Sequence, residues 1–290
     1  MIDGQAMVSA GPAIERRSIN AYLRAFLTPS GAAFLTILLL AALGPMATPY
    51  GEAEINPMRA LEAPSWAYPM GTDLFGRDVF TRVLYGARLS LLIGISAALI
   101  GATIGLAVGM VAGLSGGWLD RAAMSAIDLL LAFPGTLLAM VIVAMLGPSV
   151  TNLILAVGIA TVPGYARLVR SMALSIRQAD YVLAARAIGV RPWVIALRHV
   201  YPNLRASVVV YATLSVATAI LNAAGLGFLG LGSKPPTAEW GLMVADGRET
   251  LEIAWWVTAF PGLAILVTTL VIYSFGDALN TALDPKKAPR

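Results

Sequence analysis

The chain has no cysteine and one histidine, His199. The first absence removes disulfides, thiolate metal sites and thiol nucleophiles, and with them any reading of redox compartment. The second rules out a histidine metal cluster and leaves no plausible Ser/His/Asp set. Charge is scarce as well: 12% of the 290 residues are Asp, Glu, Lys or Arg, about half the share in soluble globular chains. Two stretches, 129–166 and 206–233, carry none at all. With 58% hydrophobic residues and a mean hydropathy of +0.77, such runs suit a bilayer, whose core is crossed by about 20 apolar residues. A phosphate-binding loop is also missing. Gly227 and Gly232 have the spacing, but Ser233-Lys234-Pro235 follows where Lys-Ser/Thr is needed. Catalysis by this chain alone is not expected.

What is present is a set of six apolar windows, at 31–48, 89–114, 122–146, 153–169, 208–226 and 255–276. They predict an all-α integral membrane protein with six transmembrane helices. The formal charge of +4 comes from arginines spread along the chain, so it points to topology rather than to nucleic acid. Six spans put both termini on one side with fourteen of the twenty Lys and Arg residues; the other side holds Arg59, Arg77, Arg82, Arg88, Lys234 and Arg248. The positive-inside rule then places both termini and the 170–205 region in the cytoplasm. The expected organisation is a cytoplasmic segment at 1–30, the first helix and an outer loop at 31–85, a core at 86–280 and a cytoplasmic tail at 281–290. Arg16, Arg17 and Arg24 precede the first window without a small-residue cleavage site, so it reads as a retained helix. That window is the weakest, being short and interrupted by Gly44-Pro45.

Between the fourth and fifth windows lies a polar island, 180–203, with Asp180, Arg186, Arg191, Arg198 and His199. It reads as two short helices. Gly189 can end the first through a positive φ, and Pro192 suits the first turn of the second. Trp193, Leu197, Val200 and Tyr201 then form an apolar stripe at helical spacing. Such a stripe serves an interfacial helix as well as a docking one; Ala184-Ala185 and Gly189 favour docking, because lipid rewards bulkier groups. Gly101, Gly105, Gly109 and Gly113 put a small-residue face on the second span, for a moving pore helix or for ordinary close packing. Asp128 is the one ionisable residue well inside a window, and either has a structural partner near the cytoplasmic interface or lines the pathway. Pro134-Gly135 and Pro163-Gly164 are expected to bend their helices. The long outer loops, 49–85 and 227–254, are rich in Gly, Pro and Trp. Asp73, Arg77, Asp78, Trp240, Asp246 and Arg248 there suit contact with an external partner, or else the loops simply plug the outer mouth.

Several of these stretches match one family. Ala184-Ala185, Gly189 and Pro202-Asn203 resemble the cytoplasmic EAA loop of permease subunits in bacterial ABC importers. Gly71-Thr72-Asp73-Leu74-Phe75-Gly76-Arg77-Asp78, Asp128 to Pro134, Pro163-Gly164-Tyr165-Ala166-Arg167, Phe228 to Gly232, Gly276-Asp277-Ala278-Leu279 and Leu283-Asp284-Pro285 look like the dipeptide/oligopeptide permease family, C-type subunit. The resemblance implies a type I importer permease fold and half of a translocation pore in the bacterial inner membrane. It implies a B-type permease subunit, two cytoplasmic ATPases and an extracytoplasmic binding protein as partners, with lipid around the chain. ATP and magnesium would sit on the ATPases, with no cofactor in this chain. Carried onto this sequence, ATPase coupling falls to Asp180, Ala184, Ala185, Arg186, Gly189, Trp193, Leu197 and Pro202, and pore or gating roles to Asp128, Pro134, Pro163 and Gly164. The family's usual glutamate is Leu183 here, so its polar contact is missing or passes to Asp180. The same framework also serves nickel, glutathione and opines. An ion-coupled secondary transporter is the rival class, but no repeated half is visible and Asp128 stands alone; a structural scaffold leaves the island unexplained.

Overall fold

A computed structural model describes residues 22–283; Arg16, Arg17, the start of the 1–30 segment and the tail from Asp284 lie outside them. Three of the long helices begin where a side chain takes an orphan N–H. Thr28 Oγ1 accepts from Gly31 N (3.1 Å) to start α1, Pro29–Ala47. Asp78 Oδ2 accepts from Thr81 N (2.9 Å) to start α2, Val79–Ser115, which stops at Gly116 with φ of 66°. The third window is not one rod. It splits into α3, Gly117–Leu131, and α4, Gly135–Leu146, set at 87° to each other. Pro134 disfavours helical backbone at Phe133 and has no N–H to continue the ladder. At 12 residues α4 is about 18 Å long and cannot cross the hydrocarbon alone. Five described helices are long and apolar enough to span a membrane, and the bent pair brings the number to six if it is counted as one broken span.

Ser149 caps α5, Val150–Arg177, while Asn152 Nδ2 donates to Leu146 O (2.9 Å) and Gly147 O (2.8 Å), closing the end of α4. Pro163 sits inside α5 without interrupting it, as Pro45 does in the last turn of α1. The island follows as α6, Asp180–Ala187, and the start of α7, Pro192–Phe228. The second island helix is therefore not a separate element: it runs unbroken into the fifth span. At the far end a short helix α8, Trp240–Asp246, leads to α9, Trp256–Leu283.

The centre of the molecule is the seam between α2 and α5. A Cβ built on Gly109 would lie 2.6 Å from Ala166 O, and one on Gly113 2.6 Å from Ala173 Cβ. Gly101 and Gly105 would strike Thr161 and Tyr165 in the same way. The glycine face of α2 thus meets α5 of the same chain. Around the seam, Ile93 and Ala97 of α2 pack with Val143 of α4, Leu153 and Val157 of α5, and Ala219 and Ala223 of α7. At the island end, Val169 and Ala173 bury Val182, Ala185, Ile195, Val200 and Leu204.

Overfilling this seam should be costly while other helical glycines are spared. Gly109→Val is expected to destabilise the purified chain by about 1–3 kcal/mol, read as a lower thermal midpoint in detergent. Gly225→Ala and Gly262→Ala, where nothing lies within 4 Å of the new Cβ, should leave the midpoint at or above wild type.

Candidate functional site

The loop between α5 and α7 is built around one glycine. Helix α6 ends in a Schellman arrangement: Gly189 N–H donates to Arg186 O and Val190 N–H to Ala185 O, both at 3.0 Å, with Gly189 at φ 80°. Arg191 and Pro192 then open the next helix. Val182 and Ala185 of α6 point into the core. The opposite surface carries Tyr181, Leu183, Ala184 and Ile188, all exposed. Asp180 stands in the first turn of α6, where a carboxylate complements the positive helix end. Across the turn, Trp193 and Leu197 are 60% and 58% exposed. Tyr181 stacks on His199 at 6.4 Å, and Asn203 Nδ2 donates to Tyr181 Oη at 3.4 Å, holding α6 beside α7.

The expected stripe of Trp193, Leu197, Val200 and Tyr201 does not share one face. Val200 is fully buried beside Ile195, while the other three are exposed. The cause is a π turn at Ala196–Val200, where Tyr201 N–H reaches back to Ala196 O. A turn of that kind brings residues five apart onto one side, so Val200 rotates over Ile195. Pro202 accounts for the turn's position. In a regular helix its ring would meet the carbonyl of Arg198.

Two carboxylates of α3 are paired with arginines of α5. Asp128 Oδ1 takes Arg167 Nη2 at 2.6 Å, with both side chains more than half exposed. Asp120 accepts both Arg170 Nε (2.6 Å) and Nη2 (2.7 Å). These two bonds tie α3 to α5. Asp128 and Pro134 belong to the broken third crossing, and Pro163 and Gly164 lie in α5, where Tyr211 of α7 packs over Gly164 and edge-on to Tyr165 at 4.7 Å. The Asp120–Arg170 pair was not anticipated; its members are fifty positions apart in sequence, and only an acid near the start of α3 hinted at it.

At the far end, residues expected at an external surface are turned inward. Asp73, Arg77, Asp78 and Trp240 are buried. Asp73 Oδ2 binds Arg77 Nε at 2.6 Å and lies 3.6 Å from Arg82 Nε, and Asp73 Oδ1 accepts from Phe75 N and Arg77 N. Arg82 Nη1 donates to Glu52 O (2.8 Å) and Pro236 O (3.0 Å), joining the two outer loops. Trp240 Nε1 donates to Val83 O at 3.0 Å. Asp246 is partly exposed, 3.8 Å from Arg77 Nη2; burial pushes its carboxyl up against the opposing pull of Arg82 and Arg77. Arg248 is exposed over the Phe228 ring. Glu239 went unnoticed in the sequence. It caps α8 by accepting from Gly241 N (2.8 Å) and Leu242 N (2.9 Å), with Ser90 Oγ 3.3 Å away. Burial raises its carboxyl despite these three donors. Among the described residues no group of His, Cys, Asp and Glu is placed to hold a metal ion.

A carboxyl whose folded pKa is raised adds stability below its unfolded range and loses it as pH rises through the folded value. The thermal midpoint should therefore fall as pH climbs above about 4.5, the ordinary glutamate value. Glu239→Gln should flatten that slope. An unchanged slope in the variant would remove Glu239 as its source.

Comparison with known proteins gives the same assignment from two directions. Residues 105–289 match the profile of the binding-protein-dependent transport system inner membrane component family. A dipeptide transport system permease protein of Alkalihalophilus pseudofirmus is 45% identical over 251 residues, 87% of this chain and 83% of that one. A glutathione transport system permease protein of Pectobacterium atrosepticum is 41% identical over 292 residues, covering 97% of each chain. Among solved structures, an inward-facing form of the MetNI methionine ABC transporter aligns with a TM-score of 0.57 at 18% identity, over 70% of this chain and 96% of that one. At that identity it speaks for the fold alone: a type I importer permease. The chain therefore belongs to the family of inner-membrane components of binding-protein-dependent transport systems.

Proposed function

We propose that this chain forms half of the translocation pore of an ATP-driven importer for peptides of the di- and oligopeptide class. It would pair with a B-type permease, two cytoplasmic ATPases and an extracytoplasmic binding protein. The observation that carries the coupling role is the α6–α7 loop: a rigid, Schellman-capped corner with Tyr181, Leu183, Ile188, Trp193 and Leu197 exposed on it. An apolar patch beside charged residues at the membrane surface suits a protein groove better than water. Asp180, Ala184, Ala185, Arg186, Gly189, Trp193, Leu197 and Pro202 constitute that surface or fix its shape. ATP and magnesium belong to the ATPases. The peptide assignment rests on the names of the relatives, and glutathione is the second reading because a relative of similar identity and fuller coverage carries it. Transport of labelled dipeptide against labelled glutathione by the reconstituted complex decides between them.

In this reading the loop transmits motion to the pore through α7, with which it is continuous. The broken third crossing, with Asp128 and Pro134, and the Pro163-Gly164 contact under Tyr211 are the positions on the pathway side most suited to gating. Asp73, Arg77, Asp78 and Trp240 would act for the binding protein indirectly, by holding the outer loops in shape. Asp246 and Arg248 remain accessible to it.

Orientation follows from the fourteen-to-six distribution of Lys and Arg. Reporter fusions after Asp120, Pro202 and Arg290 should report cytoplasm, and those near Glu62 and Glu239 the outside. A periplasmic signal at Pro202 would overturn topology and coupling together.

Gly189 is the sensitive position of the loop. A Cβ there meets nothing within 4 Å, but φ of 80° strains any β-branched residue. Gly189→Val should cost on the order of 1–3 kcal/mol locally, leaving a membrane-inserted chain with weakened ATPase association and lost transport. Leu183→Glu, at an exposed site, should be tolerated. Wild-type transport by Gly189→Val with its ATPases bound would refute the coupling role.

A further inference from the structure

A cavity of about 520 Å³ opens between the last turns of α2 and α5, helix α6 and the start of α7. Its lining is part apolar, from Leu114, Val190, Pro192 and Ile195, and part polar, from Ser115, Arg177 and Arg186. The nearby carboxylates are already taken, Asp120 by Arg170 and Asp128 by Arg167. Among the described residues neither Arg177 nor Arg186 has a carboxylate within ion-pair distance. Arg177 is half-buried and held close to the end of α2: a Cβ on Gly116 would lie 2.9 Å from its Nη1. A guanidinium carries five N–H donors and no acceptor, so two of them lining one cavity call for an anion.

The cavity's apolar lining defines the anion further. A soluble ion has no use for Leu114, Val190 and Ile195, whereas an amphiphile covers both kinds of lining. The cavity also lies at and past the ends of the apolar windows of α2 and α5, on the side where lipid headgroups would meet these helices. Phosphate is matched by the planar guanidinium fork, and basic pockets between helices at the cytoplasmic surface take anionic headgroups. We propose that this pocket binds the phosphate of an anionic phospholipid from the cytoplasmic leaflet between Arg177 and Arg186, with the start of an acyl chain against Leu114, Val190 and Ile195. The leaflet rests on the orientation proposed above; the pocket and its chemistry do not.

The test is native mass spectrometry of the intact importer complex in detergent, titrated with cardiolipin, phosphatidylglycerol or phosphatidylcholine. The wild-type complex should retain cardiolipin and phosphatidylglycerol over phosphatidylcholine. Arg177→Gln and Arg186→Gln should each weaken that retention about fivefold, the effect of one cation near a headgroup. Arg177→Lys should keep most of it, which separates lost charge from lost assembly. Equal retention in wild type and the Arg177→Gln/Arg186→Gln variant overturns the proposal. Displacement by millimolar inorganic phosphate reassigns the pocket to a soluble anion and overturns the lipid reading. Loss of the lipid whenever the ATPases are bound does so as well, because it makes an acidic side chain of theirs the occupant. Retention in detergent is blind to orientation, so its failure leaves the topology standing, while a failed fusion result at Pro202 leaves the pocket standing.

Discussion

The structure depends on two helix backbones touching. Where α2 meets α5, glycines at every fourth position remove the side chains that would keep the helices apart, and Ala166 and Ala173 answer with small residues of their own. In a bilayer, apolar side chains gain nothing by leaving lipid for one another, so association relies on close packing. The seam supplies that packing from Gly101 to Gly113, about 3.3 helical turns. Helices α4 and α7 then assemble against the same pair, and the buried side of the island loop rests on Val169 and Ala173. Without the seam, the loop would have no fixed base.

Much of this was legible in the sequence, because hydropathy, caps and glycine are local signals. All six windows fall on helices, five of them on rods long enough to cross a membrane and the third on a bent pair. Gly189 and Pro192 announced the corner between α6 and α7, and Pro134 the break in the third crossing. The boundaries were not legible. Apolar windows stop where charges begin, yet α2 starts ten residues before its window and α5 runs past Arg170 to end at Arg177. Those turns survive at the interface because Asp78 caps one and Asp120 pairs with the other.

What the sequence hid has two causes: a local change of helix phase and pairing at long range. The stripe around Val200 fails because a single π turn, set by Pro202, shifts the phase of the helix, and periodicity assumes a constant turn. The outer charges looked like a contact surface since exposure is the ordinary fate of Asp and Arg. Only the fold reveals that Asp73 gathers two arginines and two backbone N–H groups, or that Arg82 reaches carbonyls of two separate loops. Asp128 had two readings, and the structure gives it Arg167 as a partner.

The continuity of α7 has a mechanical consequence. From Pro192 to Phe228 it spans 37 residues, a rod of about 55 Å, longer than the hydrocarbon core is thick. A rod of that length works as a lever: a tilt of about 5° imposed at one tip displaces the other by roughly 5 Å. The π turn is the one place among its described residues where the regular ladder is already interrupted. Compliance is therefore concentrated near the short arm, and the long arm beyond Pro202 moves as one piece.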